Sequence, residues 1–115
     1  MPNPVVHFEI MSAEKGQELQ RFYSEVFGWK IDANNPMSYG MVDTGSSAGI
    51  PGGIGPGMGA SRVTIYVAVD DLQAYLDKAE ALGGKTVLPP SAVPGGPRLA
   101  MFADPDGNIT GLMQA

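Results

Sequence analysis

The chain holds a single histidine, His7, and it stands two residues before Glu9 in the run VVHFEI. If that run is a strand, alternation puts both side chains on one face, about 6.5–7 Å apart along the backbone. An imidazole and a carboxylate at this spacing form an acid/base couple, touching directly or through one water, in which the carboxylate favours the protonated ring. The competing use is structural, with Glu9 in solvent near the strand end and His7 a hydrogen-bonded wall residue. His7 and Glu9 are the candidate catalytic residues. A second polar pair, Thr64 and Tyr66, shares one face of VTIYVAV. Their hydroxyls suit the orientation of a ligand in a mostly apolar pocket, or packing with internal hydrogen bonds. Met41, Met58, Met101 and Met113 offer either an adaptable apolar wall or core filling.

Other chemistries lack their parts. There is no cysteine, hence no disulfide, thiolate metal site or thiol nucleophile. No G-x-S-x-G occurs, and no serine has a base partner other than His7. The glycine-rich stretch 49–59 contains no GK[ST] and does not join a strand to a helix, so it is no phosphate loop. DPDGN (104–108) lacks the later ligands of a calcium loop. Seven basic and twelve acidic side chains give a net charge of −5. With no Lys/Arg cluster, neither nucleic acid nor an anionic membrane is an expected partner. No run approaches about 18 apolar residues, and no basic segment precedes an apolar one at the N-terminus. A soluble, cytoplasmic protein is the expectation.

The elements that must position these residues follow from periodicity. Residues 5–10 read as a strand, with Val6, Phe8 and Ile10 on the face toward a helix. Leu19, Phe22, Tyr23, Val26 and Phe27 then form one stripe of a helix over about 15–27. Ser12 is a candidate cap at its start and Gly28 a left-handed cap at its end. Extended segments follow at 29–31 and 39–43, and a short strand is placed around 50–54 within the loop-like stretch 45–61. Residues 63–69 are the strongest strand, with Val63, Ile65, Val67 and Val69 on its apolar face. Asp70 or Asp71 caps a helix whose stripe is Leu72, Tyr75, Leu76, Ala79 and Leu82. After Gly83 and Gly84 come a strand at 85–88, a proline-rich loop at 89–97, a strand at 98–103, a turn at 104–108 and a last strand at 109–113.

This order is a repeat. VHFEI (6–10) sets over VTIYV (63–67), SEVFGWKI (24–31) falls beside AEALGGKTV (79–87), and Met41 falls over Met101. His7 is then the counterpart of Thr64, and Gly52 or Gly53 the counterpart of Gly111. Each half is strand–helix–strand–strand–strand. Neither half covers its own sheet, so the two must pair with each other or with another chain.

HFEI, RFYSEVFGW, VAVDDLQAYLDKAEALGGK and ADPDGNITGLMQ, which reach across nearly the whole chain, resemble the vicinal oxygen chelate superfamily of glyoxalases, bleomycin-resistance proteins and extradiol dioxygenases. The resemblance implies an α+β fold of two βαβββ modules whose mixed sheet curves around a central cavity. It also implies homodimers, some with modules exchanged, and metal ligands on the cavity faces of the first and last strands of each module. Carried over residue by residue, those ligand positions are His7, Thr64, Gly52 or Gly53, and Gly111. Only His7 is a good donor, whereas catalytic metal sites commonly hold three protein ligands. No cofactor is therefore expected, and a divalent metal on His7 is the disfavoured alternative.

The glycines at 52, 53 and 111 leave room where bulky donors would stand, which suits a cavity opened for a ligand. His7, Thr64, Tyr66, Met101 and Gly111 are the candidate ligand-binding residues. The expected arrangement is one glyoxalase-like domain over 1–115, with module one at about 4–54, a linker at about 55–61 and module two at about 62–115. The expected function is recognition of a small organic molecule, by a resistance-type binding protein or a metal-independent enzyme. Two alternatives stand beside it. One is a metal-dependent lyase or dioxygenase using His7 as one ligand. The other is a structural or interaction module whose cavity is filled by side chains.

Overall fold

The computed structural model describes residues 2–57 and 59–115. Met58, one of the methionines read as a wall, lies outside the described residues. The elements run β1 (Val5–Ser12), α1 (Gly16–Phe27), β2 (Lys30–Asp32), β3 (Gly40–Asp43), β4 (Gly52–Pro56), β5 (Arg62–Val69), α2 (Leu72–Ala81), β6 (Lys85–Ala92), β7 (Arg98–Ala103) and β8 (Ile109–Gln114). The chain divides into two compact units, His7–Val63 and Met1–Val6 with Thr64–Ala115. The first is a sheet ordered β2-β3-β4-β1 with α1, in which β4 runs parallel to β1 and the other pairs are antiparallel. The second repeats the plan as β5-β8-β7-β6 with α2, β8 running parallel to β5. This is the expected α+β class, with one βαβββ set per unit. No helix among the described residues is long and apolar enough to cross a membrane.

The strand registers make the repeat specific. Glu9 lies beside Gly53, which lies beside Met41. Tyr66 lies beside Gly111, which lies beside Met101. Gly53, not Gly52, is therefore the counterpart of Gly111, and Met41 is the counterpart of Met101.

In the second unit Asp71 caps α2, its carboxylate accepting the Ala74 N–H at 3.1 Å. Leu72 and Leu76 then bury against Val69, Ala100 and Leu112, with Val67, Tyr75 and Phe102 around them. Leu82, the last residue of the predicted stripe, falls at the helix end and is largely exposed. The same core explains a difference in β5. It covers only the C-terminal end of the apolar face, so Val63 and Ile65 lie open while Thr64 and Tyr66 are buried. Removing the cap by Asp71→Ala should lower the unfolding free energy by about 1 kcal/mol, read as a lower urea midpoint with unchanged slope.

The helix of the first unit is turned relative to its apolar stripe. Phe22, Val26 and Phe27 are each more than half exposed. Gly16 and Gln20 face the sheet instead. A Cβ on Gly16 would sit 2.5 Å from the Pro56 nitrogen, so only glycine lets the helix start this close to β4. The Gln20 carboxamide donates to the Ile54 carbonyl at 2.7 Å and to the Ser38 carbonyl at 3.0 Å. A buried carbonyl left without a donor costs about 1–3 kcal/mol, enough to set the helix rotation against exposed phenyl surface. Ser12 is not the cap residue. Lys15 holds that position, and the Ser12 hydroxyl accepts the Lys15 N–H at 3.0 Å. At the other end Gly28 takes the left-handed conformation, φ 71°, and returns its N–H to Ser24.

The proline-rich segment also differs. β6 continues through Pro89 and Pro90 to Ala92, where a loop was expected. It is the outermost strand of its unit, paired on one side only, and its register with β7 slips between Thr86 and Leu88 and again between Leu88 and Ser91. Prolines are tolerated where a strand's N–H groups have no ladder to serve.

Candidate functional site

The site in the unit His7–Val63 begins with the alternation of β1, which turns His7 and Glu9 to the same side. Tyr39 enters between them from the residue just before β3. Its backbone is clasped by one side chain: Asn35 Oδ1 accepts the Tyr39 N–H at 3.0 Å, and Asn35 Nδ2 donates to the Tyr39 carbonyl at 2.7 Å. The preceding Ser38 takes a left-handed backbone, φ 53°, with its carbonyl held by Gln20. Thus α1 and the loop before β3 together fix where the phenol points.

That phenol joins the two expected catalytic residues. The Tyr39 hydroxyl donates to Glu9 Oε2 at 3.0 Å and meets His7 Nε2 at 2.9 Å. Arg62 donates to the other carboxylate oxygen, Oε1, at 3.2 Å. The result is one hydrogen-bonded chain, His7–Tyr39–Glu9–Arg62. Glu9 is 7% exposed, so the reading that left it in solvent does not hold. The link to His7 runs through a phenol, where direct contact or a water was expected.

The glycines explain how the phenol fits. A Cβ on Gly53 would lie 1.7 Å from the Tyr39 hydroxyl oxygen. On Gly52 it would meet the Phe8 ring at 2.3 Å, and on Gly111 the Tyr66 ring at 2.4 Å. The room expected to be open for a ligand is filled by aromatic rings. At both equivalent last-strand glycines the occupant is a tyrosine, from the loop before β3 in one unit and from β5 in the other.

The remaining candidate ligand residues lie in the second unit. Tyr66, Gly111 and Met101 form one row across β5, β8 and β7, and Thr64 is two residues earlier on β5. Thr64 and Tyr66 are almost fully buried. Among the described residues the Thr64 hydroxyl has no hydrogen-bond partner, and neither has the Nε of Arg62. Met41 is half exposed, unlike its buried counterpart Met101.

Burial holds the His7 imidazole below its ordinary pKa, with the Glu9 charge pulling the other way. The neutral ring is thus the folded form at neutral pH. Below a pH of about 6.5 the unfolded chain takes up this proton more readily than the folded one. Stability from His7 should be fully present above that pH and fall as pH drops toward the folded pKa. Urea midpoints between pH 8 and 5 should fall more steeply for the parent protein than for His7→Gln.

Asn35 and Arg62 carry no signal in strand or helix periodicity, and Arg62 reaches Glu9 across 53 residues. Tyr39, expected within the extended segment 39–43, precedes its strand, which starts at Gly40. Its link to Glu9 appears only with the register that sets Glu9 beside Gly53.

Two βαβββ sets, each with a polar first strand beside a glycine of its last strand, define a glyoxalase-type fold. The chain belongs to the Glyoxalase/Bleomycin resistance protein/Dioxygenase superfamily, whose profile matches residues 6–111. It is 33% identical over 106 residues to the protein CFP32 of Mycobacterium bovis, provisionally named a glyoxylase, a match covering 84% of this chain and 40% of that protein. It is 32% identical over 105 residues to the anthracycline biosynthesis protein DnrV of Streptomyces peucetius, covering 75% of this chain and 38% of the relative. The chain thus spans about two-fifths of the length of these relatives. A solved superfamily member from Vibrio splendidus shares the fold, with a TM-score of 0.65 at 16% identity over 99% of this chain and all of that one.

Superfamily membership raises the question of a metal. The four ligand positions implied by the resemblance hold an imidazole, a hydroxyl and two glycines, and both glycines are covered by tyrosine rings. The nearby carboxylate of Glu9 already carries an arginine and a phenol. Among the described residues no cluster of three or more His, Cys, Asp or Glu is placed to hold a cation. This donor set does not fit a divalent metal with three protein ligands.

Proposed function

We propose that this chain binds a small organic molecule at the His7 face of its first unit without a metal, as a sequestering protein or as part of a longer enzyme. The observation that carries the reading is the part-buried chain His7–Tyr39–Glu9–Arg62, with Glu9 buried at its centre. Removing a carboxylate and a guanidinium from water is costly, and here the pair is spent on orienting one imidazole. Polar groups converging in this way on one imidazole are an arrangement in which ligand sites are built. Binding is the first use. Acid/base chemistry on the bound molecule is the second reading, favoured by the neutral state in which burial holds His7.

The relatives suggest where to start looking: anthracyclines and their precursors, from the Streptomyces proteins named for anthracycline biosynthesis, and glyoxalase-type substrates, from the mycobacterial ones. A thermal-shift screen of both sets tests the proposal. A true ligand at a hundredfold excess over its Kd adds about 2.7 kcal/mol of stability, and His7→Asn should lose most of that gain. A stoichiometric transition metal in protein purified without added metal, lost in His7→Ala, would overturn the metal-free reading. A screen with no hit in either set would count against ligand recognition.

The same reading includes a second copy of the chain over the exposed Phe22, Val26 and Phe27 of α1. Apolar surface of this kind is commonly covered by a partner. Sedimentation of a Phe22→Ser/Phe27→Ser variant should shift toward monomer, and a parent protein that is monomeric at high concentration would remove the dimer.

A further inference from the structure

The hydrogen-bonded chain fixes more than the position of His7. A phenol has one hydrogen to give. Glu9 is ion-paired with Arg62, so as a carboxylate it can only accept, and the Tyr39 hydroxyl donates to it at 3.0 Å. At the 2.9 Å contact with His7 the phenol oxygen must then accept, and Nε2 must be the donor. The reverse arrangement would set the phenol oxygen against a carboxylate oxygen at 3.0 Å with no hydrogen between them.

We propose that Tyr39 is a positioning residue that locks His7 in the tautomer protonated on Nε2, so that any proton gained by the ring enters at Nδ1. When Nδ1 takes a proton from an acid, the ring becomes an imidazolium and the acid is left as its conjugate base. Tyr39 and Glu9 keep their own protonation states. The positive charge then strengthens the Nε2–H bond to the phenol oxygen, and through it the charge-assisted bond to Glu9. Glu9 thereby acts on His7 through the phenol, with Arg62 on its other oxygen. Gly53 belongs to the device, since a side chain there would stand where the phenol oxygen is. The use of this base on a ligand rests on the function proposed above; the tautomer does not.

The test reads the ring directly. His7 is the only histidine, so a long-range proton–nitrogen correlation spectrum of the ligand-free protein shows its two nitrogens without assignment. Above the titration midpoint, Nε2 should have the shift of a protonated, pyrrole-type nitrogen and Nδ1 that of a bare, pyridine-type one. Tyr39→Phe should pull both shifts toward their average as the tautomers mix. Glu9→Gln retains an oxygen that can accept the phenol hydrogen, so the tautomer should persist while the titration midpoint drops with the loss of negative charge. A purely structural role for Tyr39 would not separate these two variants. A parent spectrum with Nδ1 protonated overturns the proposal, and so does a Tyr39→Phe spectrum with unchanged shifts. If Tyr39→Phe fails to fold, the parent spectrum alone decides. A failed ligand screen beside an Nε2-protonated parent would remove the function and leave the relay standing.

Discussion

Gly53→Ala should be among the most damaging single-methyl additions in the chain, lowering the unfolding free energy by about 2–4 kcal/mol through overpacking and the loss of two side-chain hydrogen bonds. The added Cβ would fall 1.7 Å from the Tyr39 oxygen and 1.9 Å from the carbon bearing it, so the ring has to leave. It cannot slide freely, because Asn35 grips the Tyr39 backbone on both sides. Once the phenol moves, the buried Glu9 and the half-buried His7 each lose their link to it. The coupling is measurable by denaturation of the two single variants and the pair. Gly53→Ala in a Tyr39→Ala background should cost far less than in the parent, because the steric conflict is gone. Additive costs would mean that the collision is relieved elsewhere and that the glycine is not there for the tyrosine.

The second large effect belongs to the other unit. Gly111→Ala would set a methyl 2.4 Å from two carbons of the Tyr66 ring, and Tyr66 is 2% exposed, so the ring has no route to solvent. Met101 flanks Gly111 on the opposite side and is also buried, leaving accommodation to the flexible thioether. A loss of about 1–3 kcal/mol is expected, relieved in part by Met101→Ala in the same chain. Thermal or urea denaturation decides it. A neutral Gly111→Ala would show that the Tyr66 ring has alternatives.

How much of this was readable beforehand depends on the kind of force involved. Strand positions, both helices and the repeat followed from alternation and turn residues, because those signals are local. Alternation also set His7 and Glu9 on one face, but not the phenol that joins them. The rotation of α1 did not. Phe22, Val26 and Phe27 form a regular stripe, yet two backbone carbonyls awaiting Gln20 decided which side faces the sheet. The glycines mark missing bulk, but a sequence does not say whether the vacated space is open or filled. Tyr39 and Tyr66 fill it from different elements, so no single spacing rule links them to their glycines. Arg62 was invisible for the plainest reason, its distance along the chain from Glu9.

The two prolines of β6 bear on how the protein meets its neighbours. Pro89 and Pro90 sit on the outermost strand of their unit and contribute no N–H. An incoming strand would find no donors over that stretch and an already uneven register beside it. Strand-to-strand growth along this margin is disfavoured, the way natural sheets blunt an exposed edge. Assembly through this margin must then be made by side chains, where a mutation can tune it, and not by the backbone, where it would be indifferent to sequence.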